Sequence, residues 1–318
     1  MKILHVEVGD CELNLPEISA CIGYFDGIHI GHQQLIKKVI NLSKQDETIP
    51  SLITFDPDPW SVVKGEQHLA HLTTMAQRIK TGEALGLKLW IILRFNQEMA
   101  NLSVDAFHQL LINQLHVKTL VCGYDFTYGK FGKGNIETLA KQSYFSYQVL
   151  EAVKYQGQKI SSTRIESALL EGHVKDVKAL LGHYYQLEGI VTRGNQIGRT
   201  ISFPTANLKL IANFILPKKG VYAGYAQVHG KQYSAFINIG YNPTFNLKEE
   251  VSIEVHIFDF NLDIYNESVT IIFVERLRDE MKFDSKDALV EQLIMDKERT
   301  LTIIANDCEE DNDAIKSI

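Results

Sequence analysis

The stretch GYFDGIHIGHQQLI, residues 23–36, joins the end of an apolar run to the start of an amphipathic one. ISACIGYF (18–25) has the composition of a buried strand, a glycine-rich turn follows, and GHQQLIKKVINLSK puts Leu35, Ile36, Val39 and Ile40 on one helical face. His29 and His32 therefore stand close to a helix N-terminus, with Gly31 between them. Unpaired backbone N–H groups and the helix dipole favour an anion there, typically phosphate. Two histidines three apart add donors for oxygens on which negative charge builds. A bare Asp26–Gly27 turn with two capping histidines is the alternative, and zinc is a weaker one because no third ligand stands nearby.

Outward from this junction, TIPSLITF (48–55), LWIILRF (89–95), TLVCGYDF (119–126) and YQVLEAV (147–153) are further strand candidates. SVDAFHQLLINQLH gathers Val104, Phe107, Leu111 and Leu115 on one face behind Ser103 as N-cap. Alternation of this kind predicts an α/β domain with a doubly wound parallel sheet. After a helical stretch near 164–182 the pattern changes to strands alone: 185–192, 221–228, 231–240, 251–260 and 268–277. His229–Gly230 reads as a hairpin turn. Val251, Ile253, Val255 and Ile257 share one face, and Ser252, Glu254 and His256 the other. Five such runs predict a mainly antiparallel, closed or nearly closed barrel. Leu289, Leu293, Ile294, Leu301 and Ile304 recur at helical spacing in a terminal helix expected to pack on it, and the tail from Cys308 is expected to fray. The domain boundary is set at 1–183 and 184–318.

The 32 basic and 39 acidic residues leave a net charge of −7, which weighs against a nucleic-acid partner. No apolar run approaches the roughly 20 residues that span a bilayer, and the start lacks the apolar core of a signal peptide, so no membrane association is expected. Four scattered cysteines without a C-x-x-C pair fit reduced thiols in the cytoplasm.

G-x-F-D-G-x-H-x-G-H resembles the HxGH nucleotidyltransferases, in particular the bacterial bifunctional riboflavin kinase/FAD synthetase family. TFDPDPW (54–60), VCGYDFTYGKFGKG (121–134), ISSTRI (160–165), GRTISFPTANL (198–208), GVYAG (220–224), INIGYNPTF (237–245), EVHIFDF (254–260) and RLRDEMKF (276–283) follow in that family's order. The resemblance implies two reactions: ATP phosphorylates riboflavin to FMN in the second domain, and a second ATP adenylylates FMN to FAD in the first. It implies ATP contacts at Gly23, Phe25, Asp26, Gly27, Gly31, Ser161, Ser162 and Thr163, catalytic roles for His29 and His32, and flavin contacts at Asp125 and Phe126.

In the second domain it makes Thr205 and Asn207 holders of Mg²⁺ and phosphates, and Arg278, Asp279 and Phe283 flavin neighbours. Read on their own, Thr205 and Asn207 are two neutral oxygen donors on one side of an extended segment. Gly194, Gly198 and Arg199 form a candidate phosphate loop, and Glu254 can accept the proton of the ribityl hydroxyl. A polar bend, an ordinary turn, a solvated Glu and a charged connector at 276–283 are the plainer readings of these segments. Two departures place acid where the family carries a cation, Asp58 in T-F-D-P-D-P and Glu166 after S-S-T-R-I. They keep open a riboflavin kinase whose first domain is a weak or inactive nucleotide- or flavin-binding module. Ser202 and Asn266 each replace a family Gly, and Asn tolerates the left-handed turn that such a Gly serves.

Overall fold

The computed structural model describes residues 1–10, 13–66, 69–194, 203–242 and 250–316, with backbone alone at 241, 242, 250 and 308–316. Its contacts divide the chain into two units, Met1–Ser162 and Thr163–Ile318.

The first unit is a six-stranded sheet in which every pairing is parallel. Its strands are β1 (Lys2–Val6), β2 (Ile18–Ile22), β3 (Ile49–Asp56), β4 (Leu89–Arg94), β5 (Val117–Gly123) and β6 (Ser146–Leu150), in the order β1-β4-β3-β2-β5-β6. Side chains of a strand alternate between faces, and here both faces are covered. Ile18, Ala20 and Ile22 pack on one side with Phe107 and Leu111. Cys21, Leu52, Trp90 and Ile92 pack on the other with Leu35, Ile36 and Val39 of α1 (Ile30–Asp46). Short helices α2 (Pro59–Val63), α3 (Met75–Leu85), α4 (Gln97–Ala100), α5 (Val104–Gln109) and α6 (Ile136–Lys141) complete the connections. Ser103 caps α5, its hydroxyl accepting from the Ala106 N–H at 3.1 Å. A two-stranded ribbon, β7 (Lys154–Tyr155) and β8 (Gln158–Lys159), closes the unit.

The second unit opens with α7 (Ser162–Glu171) and α8 (Val174–Leu181), and α8 packs on a barrel strand. These two helices account for the distance between the sequence boundary at 183/184 and the contact boundary at Ser162/Thr163. The barrel closes from six strands rather than the expected five: β9 (Gln186–Thr192), β10 (Ala206–Leu210), β11 (Gly220–Val228), β12 (Lys231–Asn242), β13 (Glu250–Ile257) and β14 (Ser268–Arg278). The additional strand, β10, begins two residues after Pro204 in the F-P-T-A-N-L segment and contains Asn207, a residue of low strand propensity. Its pairing with β9 and β13 overrides that preference. The expected turn is present, His229 and Gly230 both adopting positive φ (49° and 76°) between β11 and β12. Asn266, at φ 64°, takes the left-handed conformation expected of it.

Three further expectations need correction. His256 does not face water; its ring is 7% exposed among Phe203, Phe236 and Phe258. The terminal helix α9 (Lys286–Lys316) extends through most of the tail expected to fray. Its buried face is Asp296, Thr300 and Ile304, at spacing four, whereas Ile294 and Leu301 lie exposed. Arg278 explains the rotation: its guanidinium grips the Asp296 carboxylate through Nε and Nη2, the latter at 2.7 Å, and draws that face inward.

Candidate active sites

In the first unit the crevice between β2 and β5 is where the strand order reverses, since the chain passes from β2 to β3 on one side and reaches β5 on the other. Ligands of open parallel sheets bind at such a point, beyond the carboxyl ends of the strands. A cavity of about 300 Å³ opens there, lined by Gly23, His29, His32, Asp125, Lys159 and Ser161 among others. The turn that builds it is strained. Phe25, Gly27 and Ile28 all hold positive φ (59°, 77° and 38°).

His29 caps α1, its Nδ1 accepting the His32 N–H at 3.2 Å. The two imidazoles stack at 3.6 Å between centroids, and the Phe25 ring meets His32 edge-on. Burial, reinforced by the Lys159 charge, pushes His29 down to about 4. Burial and then the neighbouring His29 put His32 well below the usual imidazole range. Both rings are neutral at pH 7. The buried His32 Nδ1 has no hydrogen-bond partner, and α1 lacks an acidic residue in its first turn. The arrangement suits an anion.

Stability should follow from this pair. The unfolded imidazoles bind protons near 6.5, whereas folded His29 resists until about 4. The unfolded state therefore binds more protons in that window, and stability present above it is lost as pH falls through it. A His32→Asn variant should show a flatter decline of melting temperature across the same window, and a decline as steep as that of the unmodified chain would reject the buried neutral pair.

Asp26 is spent on architecture. Its carboxylate accepts from the Leu72 and Thr73 N–H groups at 2.9 and 3.0 Å and from the Thr73 hydroxyl, while the Gly27 N–H donates to that hydroxyl. Burial alone would raise its pKa; His71 at 3.8 Å, the Leu72 N–H bond and the charge of Arg78 outweigh it and hold the carboxylate low. Ser161 lines the cavity, as does Ser162, whose hydroxyl donates to the Asp26 carbonyl at 3.2 Å. Thr163 begins the second unit, where Glu166 is exposed on α7. Asp58, one of the two acids standing where the family carries a cation, has defined partners. It caps α2 by accepting the Trp60 N–H at 2.8 Å, and its other oxygen lies 3.8 Å from His71.

Asp125 pairs with the Lys159 ammonium at 2.5 Å. Phe126 stacks on Tyr128 and borders both this cavity and a second, apolar one of about 700 Å³. Phe55, Trp60, Phe95, Tyr128 and Phe131 line the latter, and sequence reasoning missed all five. Tyr128 is fixed by its hydroxyl, which bridges His108 Nε2 at 2.7 Å and the Thr138 hydroxyl at 2.9 Å. Gly134 is required beneath it, because a Cβ there would fall 2.6 Å from the ring.

In the second unit, Asn207 of β10 lies opposite Glu254 of β13. The Thr205 hydroxyl donates to Glu254 Oε2 at 3.2 Å, so these three predicted residues converge. Gly194 belongs with them, since a Cβ there would stand 2.1 Å from the Asn207 amide. Gly198, Arg199 and Ser202 lie outside the described residues. His256, to which sequence reading assigned no role, donates from Nδ1 to the Pro204 carbonyl at 2.7 Å and so ties down the segment carrying Thr205. Arg278, besides gripping Asp296, donates to the Asp279 carbonyl and lies 5.9 Å over the Phe283 ring. Asp279 is exposed and held by Arg276. Among the described residues no cluster of three or more His, Cys, Asp or Glu could hold a metal.

Comparisons with known proteins divide along the same lines. The FAD synthetase family matches residues 12–164 and the riboflavin kinase family residues 181–304. The bifunctional riboflavin kinase/FMN adenylyltransferase of Bacillus subtilis (strain 168) is 38% identical over 290 residues, 90% of this chain and 92% of that protein. Its namesake from Escherichia coli (strain K12) is 30% identical, covering 87% of this chain and 89% of that protein. A crystal structure described as a macrolide-efflux protein from Streptococcus pneumoniae is 35% identical with a TM-score of 0.87, covering 94% of this chain and 98% of that one. Among the described residues no helix is long and apolar enough to cross a membrane. With both halves matched in order and relatives aligned over most of its length, the chain belongs to the bifunctional riboflavin kinase/FMN adenylyltransferase family.

Proposed function

We propose that the chain makes flavin nucleotides in two consecutive steps, FMN in Thr163–Ile318 and FAD in Met1–Ser162. The reading rests on one observation above all: the chain carries two separate sites suited to phosphate chemistry, one at the α1 N-terminus and one at Thr205, Asn207 and Glu254.

In the first step Glu254 takes the proton of the ribityl 5′-hydroxyl, whose oxygen attacks the γ-phosphorus of ATP as ADP leaves. Thr205 and Asn207 would hold a magnesium ion whose charge offsets that of the phosphates. The donor set fits that ion, which keeps waters and phosphate oxygens and needs few protein ligands. In the second step an FMN phosphate oxygen attacks the α-phosphorus of another ATP, and pyrophosphate leaves with the electron pair of the broken P–O bond. His29, His32 and the α1 N-terminus donate to the phosphate oxygens as charge develops. The aromatic cavity takes the isoalloxazine ring, and Phe126, bordering both cavities, supports a single FMN reaching from one to the other. Burial raises the Cys122 thiol to about 11 and pushes Cys21 up further, which suits unreactive thiols in a cytoplasmic enzyme of small molecules.

Riboflavin, ATP and Mg²⁺ incubated with the chain should give FMN first and FAD after it, resolved by chromatography over time. His32→Ala should lower FAD formation by roughly 10²–10³, the cost of one lost charge-stabilising donor, and leave FMN formation unchanged. FMN as the sole product of the unmodified chain would reject the second step.

A further inference from the structure

Adenylyl transfer concentrates negative charge on ATP and on the departing pyrophosphate, yet the cavity assigned to it is poor in cations. Its ionisable lining groups are His29, His32, Tyr124, Asp125, Glu151 and Lys159. Both histidines are neutral at pH 7, and two of the remaining groups are carboxylates. Among the described lining residues Lys159 is thus the one side chain with a fixed positive charge.

Its placement is built rather than incidental. Lys159 ends the β7–β8 ribbon, which turns through Gln156 and Gly157 at φ 52° and 77°. The next residue, Ile160, donates its N–H to the Val153 carbonyl at 2.9 Å and closes the base of the ribbon. Lys159 therefore leads directly into Ser161 and Ser162 of the cavity wall. Asp125 anchors the ammonium at 2.5 Å, and the Tyr124 ring lies 5.0 Å from it. Its charge reaches both imidazoles and helps hold each one neutral.

We propose that Lys159 is a catalytic residue of FAD synthesis, supplying the positive charge that meets the ATP polyphosphate and the pyrophosphate leaving it. An ammonium donates three hydrogen bonds, enough to keep Asp125 while binding phosphate oxygens. The inference rests on reading this cavity as the adenylyl-transfer site.

The test uses the full chain with Lys159→Met and Lys159→Arg, following FAD formation from FMN at varied ATP. FMN formation from riboflavin serves as the reference within the same molecule. Lys159→Met should lower kcat/KM for ATP in FAD synthesis by about 10²-fold, the scale of one lost donor to developing charge. It should weaken inorganic pyrophosphate binding measured by calorimetry and leave the kinase rate unchanged. Lys159→Arg should recover most of both losses. Wild-type FAD kinetics and pyrophosphate affinity in Lys159→Met would overturn the assignment while leaving the site intact. An unmodified chain that makes no FAD would overturn the site and the assignment together.

Discussion

No detectable FMN should form from riboflavin and ATP when Thr205 and Asn207 are both changed to Ala. Thr205 and Asn207 are the neutral oxygens gathered at this site in the second unit, one bonded to Glu254 and the other opposite it on β10. Phosphoryl transfer is mostly positioning and charge neutralisation, so losing both groups removes the cradle rather than trimming it. The space around Asn207 shows how little slack exists, for position 194 must be Gly to admit its amide. The variant should still convert supplied FMN to FAD in the first unit, and an unchanged melting transition of the second unit separates loss of the site from loss of its fold. Near-wild-type FMN formation at saturating Mg²⁺ would remove both residues from the mechanism.

Glu254→Gln should reduce FMN formation by roughly 10²–10⁴, the range for a lost general base. Gln keeps the shape of Glu and an oxygen able to accept the Thr205 hydroxyl, so packing and that contact survive. Riboflavin affinity, measured by quenching of flavin fluorescence, should stay close to wild type while kcat falls. An unchanged rate would leave Glu254 as a partner of Thr205 without a share in the chemistry.

The features legible in the sequence are those whose chemistry is local. H-x-G-H follows a strand at a fixed spacing, so the helix start and its capping histidine can be inferred from a dozen consecutive residues. The convergence of Thr205, Asn207 and Glu254 was half legible, because period two fixes the outward face of β13 but not the strand that covers it. Its failure is clearest at His256, which shares that face and is buried by Phe203 from a distant segment. The aromatic cavity was invisible for the same reason. Its rings come from positions 55 to 131, and no spacing connects them. Asp58 shows the converse: the family pattern marks it as an acid in place of a cation, and only the structure shows that its carboxylate caps α2. Arg278 likewise binds Asp296 across 18 residues, a pairing set by how α9 lies on the barrel.

The two units differ in one respect that bears on their lives as unfolded or half-folded chains. The barrel, closing β10 through β9, has no terminal strand among the described residues. Among the described residues the parallel sheet has two, β1 and β6, each bonded on one side only. Unpaired strand edges are templates for another chain, and parallel sheets assemble slowly because their partners lie far apart in sequence. Self-association during synthesis or heating should therefore begin in the first unit. At β1 the exposed Ile3 offers an apolar foothold, and the Lys2 charge beside it works against intermolecular pairing.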